Sequence, residues 1–189
     1  MTPAPWIRVK WTEAGQIAEM AGWRASPSAR AELSAPPSVF CASLLDEGLK
    51  ADAARFLAHA LPRFDAVQWA VEVARDLAPA DRLEPDERAA LKAASLWLQD
   101  PSDERRRAAF AAAEACLDSA NPFALCAIAI FFSGGSIAPI DCEPIQPPRE
   151  AAGRFVAAAV LAAAVRSGDM LGGLDRAIAA AGRLASAPP

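Results

Sequence analysis

The chain has 189 residues, of which 53% are hydrophobic and 22% charged, a balance that fits one soluble globular domain and excludes a disordered segment. Its net charge is −4, so the concentrated positive field that nucleic acid binding requires is not expected. The beginning of the chain has no apolar segment typical of a secretion signal, and its longest apolar runs, 123–132 and 155–165, are shorter than the roughly 20 residues that cross a bilayer. We therefore expect a cytoplasmic protein that does not bind membranes.

The first eleven residues are predicted to form an extended arm. Apolar and basic side chains alternate along it: Ile7, Val9 and Trp11 against Arg8 and Lys10. This alternation is typical of a short strand. The aromatic arm either docks on a partner or folds back over the helical core, and the second alternative is favoured because large exposed apolar patches are unusual on monomers. Thr12 is then predicted to cap a short helix.

The segment 57–70, LAHALPRFDAVQWA, is predicted to form the corner between two helices. Pro62 lacks the N–H that a helix interior needs, so one helix ends there and the next begins. The second helix, from Arg63 to about Leu77, is apolar over most of its circumference and is therefore expected to be central. On the first helix, Asp52, Arg55 and His59 share one polar face.

Two further helices are predicted to begin at Pro85 and Pro101, each with carboxylates near its first turn. We interpret the run Arg105-Arg106-Arg107, which follows Asp103-Glu104, as a solvated helix start with local ion pairs. A short apolar helix is predicted at 122–132. The stretch 133–148 is too rich in proline and glycine to be helical for long and is predicted to be a loop, followed by helices at about 149–166 and 169–184.

The pattern as a whole predicts an all-α fold. Alanine, the residue with the highest helix propensity, dominates the composition, and tyrosine is absent. We expect one helical domain over 1–189, a bundle of about eight helices in antiparallel hairpins, with Trp69 and Trp97 in its core.

His59 is the only histidine and the obvious candidate for acid–base chemistry. It has no nucleophile or second metal ligand nearby in sequence. We therefore favour a structural role, in which it forms a hydrogen bond with the Pro62 turn or with a carboxylate. The four cysteines form no CxxC pair and predict reduced thiols, and neither a metal site nor a cofactor is expected.

The run Ser133-Gly134-Gly135-Ser136 allows two interpretations. Its backbone N–H groups could form an anion-binding nest. Termination of the preceding helix by glycine explains the run without any ligand, and we favour that interpretation.

Several of these motifs together resemble a known family. The run 57–63 with Ala66-Val67 and Trp69-Ala70 is similar to the hallmark of an uncharacterised family of small bacterial proteins, known only as a domain of unknown function. The similarity continues through Trp97, Pro101 and the run 133–136 with Pro139, and so covers most of the chain. It implies a bacterial helical protein and supplies no activity, substrate or cofactor.

Two hypotheses for the function follow. The first is a non-catalytic protein-interaction module, an adaptor or accessory subunit of a bacterial assembly, with secretion systems as one candidate. The alternative is a small-molecule-binding protein or enzyme with a site between the His59 helix face and the loop 133–148. The candidate ligand or partner site consists of Asp52, Arg55, His59, Arg63, Ser133, Gly134, Gly135 and Ser136. The sequence does not indicate the oligomeric state or the identity of the partner.

Overall fold

The computed structural model describes residues 5–23, 32–78, 83–116 and 121–188. Over these ranges the chain forms nine α-helices and no strand. The helices are α1 (Ala14–Ala21), α2 (Pro37–Asp46), α3 (Lys50–Ala60), α4 (Arg63–Leu77), α5 (Pro85–Gln99), α6 (Asp103–Glu114), α7 (Pro122–Phe132), α8 (Ala151–Arg166) and α9 (Met170–Ser186). The prediction of an all-α bundle is confirmed.

Local chemistry sets several helix starts. Pro85 and Pro122 occupy the first positions of α5 and α7, where the missing N–H costs nothing. Asn121 caps α7 by accepting hydrogen bonds from the N–H groups of Phe123 and Ala124. The predicted Thr12 cap of α1 is wrong. The cap is Glu13, which forms a capping box with Gln16 because the two side chains satisfy each other's backbone N–H groups.

Helices α4 and α8 lie at the centre of the bundle. Helix α8 packs against α3, α4, α7 and α9, and α4 also contacts α3, α5, α7 and α9. Alanine and valine side chains such as Ala159 and Val160 on α8 are fully buried, which allows the helix backbones to approach closely. Trp69 is 1% exposed, and its indole N–H donates to the carbonyl of Ala177 at 2.9 Å. Trp97 is also buried, as predicted.

The described part of the N-terminal arm folds back over the core without forming a strand. Val9 is buried whereas Ile7 is 64% exposed, so the apolar residues of the predicted alternation do not share one face. The N–H of Arg8 donates to the carbonyl of Ala185 at the end of α9, at 2.9 Å. The Trp6 ring lies 6.5 Å from that of Phe56. Burial of its aromatic side chains therefore outweighs the strand pattern in this segment.

Two of the ion pairs that connect distant parts of the bundle contain a buried carboxylate. Asp65 is buried near the start of α4 and receives the guanidinium of Arg8, with Nη2 donating to Oδ1 at 3.2 Å. Its other oxygen lies 3.0 Å from Nε outside hydrogen-bonding geometry, so that contact is ionic. Glu87 on α5 is held by Arg166 on α8 and by Asn121, which donates at 2.6 Å. These hydrogen bonds, with Arg166 contributing most, lower the pKa of Glu87 below its ordinary value.

The cysteines form no disulfide bond. Cys41 and Cys126 are buried, and desolvation raises the pKa of each thiol to about 12. Within the described ranges, the helices are all too short or too polar to cross a membrane.

Candidate functional site

His59 occupies the last turn of α3, beside the corner at Pro62. Its ring packs directly on the backbone of α8 at Gly153, where a Cβ atom would lie only 2.3 Å from Nδ1. The predicted hydrogen bond to the Pro62 turn or to a carboxylate is wrong, since the ring forms no hydrogen bond with the residues described. Burial and, second, the positive charge of Arg154 lower the pKa of His59 to about 4, against the opposing effect of Glu150. The imidazole is therefore neutral at pH 7.

A cavity of about 330 Å³ lies on one side of His59, between α1, α3 and α8. We call it the apolar cavity. Most of its described lining is aliphatic or aromatic, and the described polar side chains in it are Arg55, His59 and Arg154. The apolar lining residues are Ile17, Ala21, Gly22, Trp23, Phe56, Ala157, Ala158 and Leu161.

A second concave surface, of about 460 Å³, lies on the other side of His59. We call it the basic groove. The N-terminal arm, the α3–α4 corner and the start of α8 form its walls. Its described lining contains four cationic side chains and no carboxylate: Arg8, Lys10, Arg63 and Arg149. Trp11 and Met20 also line the groove. Asp65 lies behind Arg8 and offsets its charge, so the other three cations give the groove its positive field.

The run 133–136 lies elsewhere, at the end of α7. Helix α7 ends at Phe132, and the Ser133 hydroxyl donates back to the carbonyl of Ile130 at 2.7 Å. Gly135 adopts a positive φ of 66°, which a residue with a side chain adopts only with strain. Ser133, Gly134 and Gly135 line an open cleft of about 470 Å³, together with Arg63, Trp97 and Arg106.

Arg106 explains why this run holds its shape. The side chain is buried, so the interpretation of residues 105–107 as a solvated helix start is wrong at this position. Its guanidinium donates to the carbonyls of Phe131 at 2.6 Å and Ser136 at 2.7 Å, and to Asp103. The hydrogen bonds that the Asp103 carboxylate accepts from Arg106 and Arg107 lower the pKa of Asp103.

Arg107 completes this structural clamp. It donates to the carbonyls of Ser136 and Ala138 at 3.0 and 2.9 Å. The two arginines therefore use their N–H groups on backbone oxygens that the end of a helix and a loop leave without partners. This arrangement stabilises the loop.

The structure brings only part of the predicted site together. Arg55 and His59 line the apolar cavity, and His59 also lines the basic groove. Asp52 lines neither surface and pairs with Arg55 at 2.9 Å. Arg63 connects the two predicted regions, because it lines the groove and also donates to the carbonyl of Ser133 at 3.3 Å.

The side chain of the remaining predicted residue, Ser136, forms hydrogen bonds within its own loop. Its hydroxyl oxygen accepts hydrogen bonds from the N–H groups of Ala138 and Ile145 at 3.1 and 3.0 Å. The linings of the apolar cavity and of the basic groove include no residue of 133–148. The loop thus does not contribute to the surfaces on either side of His59.

Sequence reasoning missed four cations. Three of them, Arg8, Lys10 and Arg149, line the basic groove, and the fourth, Arg154, lines the apolar cavity. Arg8 and Lys10 lie in the arm, whereas Arg149 and Arg154 lie near the start of α8, and no sequence pattern connects these two distant segments. The one available signal was Gly153 inside an alanine-rich helix, since an isolated glycine there often marks a close approach. Among the residues described, no group of three or more His, Cys, Asp or Glu side chains could hold a metal ion.

Comparison with known proteins gives one family and no individual relative. Neither curated proteins nor solved structures yield a match. A family model matches residues 40–185, which include every helix from α3 to α8 and most of α2 and α9. The chain therefore belongs to the family of unknown function DUF6931.

Proposed function

We propose that this protein is a non-catalytic interaction module, an adaptor or accessory subunit that binds an acidic segment of a partner protein in the basic groove. The observation that carries the proposal is the charge of the groove. Among the residues that the structure describes, four cations and no carboxylate line it, in a chain whose net charge is −4. Such a local reversal of charge attracts and orients an anionic partner.

Two of the four cations are held in place by hydrogen bonds, and all four have N–H groups to donate. Arg8 is fixed by Asp65 and Arg63 by the carbonyl of Ser133. A guanidinium has five N–H donors in a planar fork, so groups remain that match a carboxylate. Arg149 is exposed, and the Lys10 ammonium lies 4.6 Å from the centre of the Trp11 ring.

A protein segment fits this groove because the charged side chains are accompanied by Trp11 and Met20. Aromatic residues, methionine and arginine are the side chains enriched where proteins bind each other. The neutral His59 supports a non-catalytic role, since it has no hydrogen-bonded carboxylate to orient it within the residues described. A cytoplasmic location and a secretion system as the host assembly remain part of the proposal.

The experiment compares two double variants with the same change in charge. Lys10→Glu/Arg149→Glu reverses the groove, whereas Lys92→Glu/Arg183→Glu reverses two exposed cations outside it. Tagged wild type and both variants are crosslinked in the native host, purified and analysed by mass spectrometry. We expect a partner that the wild type and the Lys92/Arg183 variant capture and the groove variant loses.

The crosslinked peptide of that partner should be rich in Asp and Glu, and binding of the purified partner should weaken as salt rises. Equal capture by all three proteins contradicts the proposal. So does capture that disappears after nuclease treatment, because it would make nucleic acid the ligand of the groove.

A further inference from the structure

We infer that the apolar cavity is a separate small-molecule site, and that it takes an organic acid with an apolar body and a single carboxylate. The body would lie against Trp23, Phe56 and Leu161, and the carboxylate would face Arg55 and Arg154 at the mouth. This site goes beyond the proposed interaction function, because it lies across His59 from the basic groove.

The walls of the cavity favour an apolar body. Phe56 is almost completely buried, and its ring lies 5.0 Å from Phe40 and 6.3 Å from Trp23. This packing of aromatic rings keeps the wall rigid. A volume of about 330 Å³ lies at the small end of ligand cavities, which suits a short aliphatic chain or a single ring.

The small residues of α8 create the space. Ala157 and Ala158 line the cavity where larger side chains would fill it. Gly22, at the end of α1, lies at the mouth with a φ of 61°. The Nη2 atom of Arg154 is 3.4 Å from the position that a Cβ of Gly22 would occupy, so this guanidinium reaches across the mouth.

The charges at the mouth favour a carboxylate. Arg55 pairs with Asp52, and Arg154 lies 3.8 Å from Glu150, too far for a strong hydrogen bond. The side chains of Arg55 and Arg154 are 53% and 60% exposed, so both can turn toward a ligand. His59 is neutral at pH 7 and adds a polar ring without a charge. Asp52 and Glu150 offset part of this charge, but neither belongs to the described lining, so a ligand in the cavity faces the two guanidiniums and not their carboxylate partners.

Isothermal titration calorimetry of the full chain tests the site. The probes are octanoate, octylammonium and acetate, which separate the role of the charge from that of the apolar body. We expect octanoate to bind at least about tenfold more tightly than octylammonium, since hydrogen bonds to charged groups contribute that much. We expect a similar advantage over acetate, which has the carboxylate but no alkyl chain to bury. Absence of octanoate binding, or equal binding of octylammonium, overturns the inference.

A matched pair of variants locates the binding. Arg154→Gln removes the cation at the mouth, and Arg176→Gln is its control, because Arg176 is also 60% exposed and lies 3.9 Å from a carboxylate, that of Asp169. We expect Arg154→Gln to weaken octanoate binding about tenfold or more and Arg176→Gln to leave it unchanged. If the two variants behave alike, the site is elsewhere.

A second variant tests the apolar wall. Ala158→Leu fills the cavity from α8, at a position that is only partly buried, so we expect the fold to tolerate it. Circular dichroism checks the fold. Octanoate binding should be lost in Ala158→Leu and retained in Lys10→Glu/Arg149→Glu. Retention in the first and loss in the second would place octanoate in the basic groove and overturn the inference.

Discussion

Two regions of the molecule that are rich in basic side chains use those side chains in opposite ways. Around the end of α7, Arg106 and Arg107 donate hydrogen bonds to backbone carbonyls and to Asp103, so these N–H groups are used within the protein. Around His59, Lys10, Arg149 and Arg154 are exposed and face a groove or a cavity mouth. A cluster of basic side chains therefore indicates a binding site only where the oxygen atoms of the protein itself do not already accept their hydrogen bonds.

The largest expected effect tests this difference directly. Arg106→Met should lower the free energy of unfolding by about 3 kcal/mol, because buried carbonyls lose their donors. It also loses the contact of the guanidinium with the Phe131 ring, 4.9 Å away. Arg149→Met removes the same charge from an exposed site and should change stability by less than about 0.5 kcal/mol. Urea unfolding followed by circular dichroism measures both, and similar values for the two variants would remove the distinction.

The second effect concerns His59 and pH. Its pKa is lowered to about 4 in the folded protein from 6.5, so the unfolded chain binds the proton more readily between these values. The contribution of the neutral imidazole to the free energy of unfolding is therefore fully present above pH 6.5 and is lost as the pH falls toward 4. The expected loss is about 2 kcal/mol between pH 7 and pH 5.

A variant separates this effect from those of other groups. In His59→Asn the loss between pH 7 and pH 5 should disappear, since the carboxylates with lowered pKa values, Glu87 and Asp103, titrate below this range. Thermal unfolding of both proteins at the two pH values gives the comparison. An equal loss in His59→Asn would mean that the imidazole is not responsible.

The smallest effect distinguishes two neighbouring glycines of the run 133–136. Gly135→Ala should cost about 1 to 2 kcal/mol, because alanine is strained at a positive φ. Its Cβ would also lie 3.0 Å from Asp103 Oδ1 and 3.1 Å from Arg106 Nη2. Gly134→Ala meets nothing within 4 Å and should be nearly neutral. If urea unfolding shows that Gly134→Ala destabilises the protein more than Gly135→Ala, Arg106 and Arg107 do not hold the run 133–136 as described.

Much of the fold could be predicted because its signals are local. Proline at the first position of α5 and α7 and a nearly continuous apolar face around Trp69 indicate helix starts and burial directly. The Thr12 cap was wrong because Glu13 and Gln16 form a reciprocal pair that the usual preference for threonine does not include.

The candidate site was less predictable because its contacts are long-range. Arg106 looks like any basic residue of a first helical turn until Phe131 and Ser136 are brought to it by folding. Arg8 and Arg149 are separated by most of the chain and line one groove only because the arm folds back onto α3, α4 and α9. His59 and Arg63 were identified because their spacing on one corner is itself local.

The contact between His59 and Gly153 has a mechanical consequence. With no Cβ at 153, the flat imidazole is the spacer between α3 and α8, and a ring cannot shorten by changing rotamer as an aliphatic chain can. The imidazole ring therefore limits how closely the two helices can approach at this point. The same ring lines both the apolar cavity and the basic groove, and it is the one residue that their described linings share, so it marks the boundary between the two surfaces.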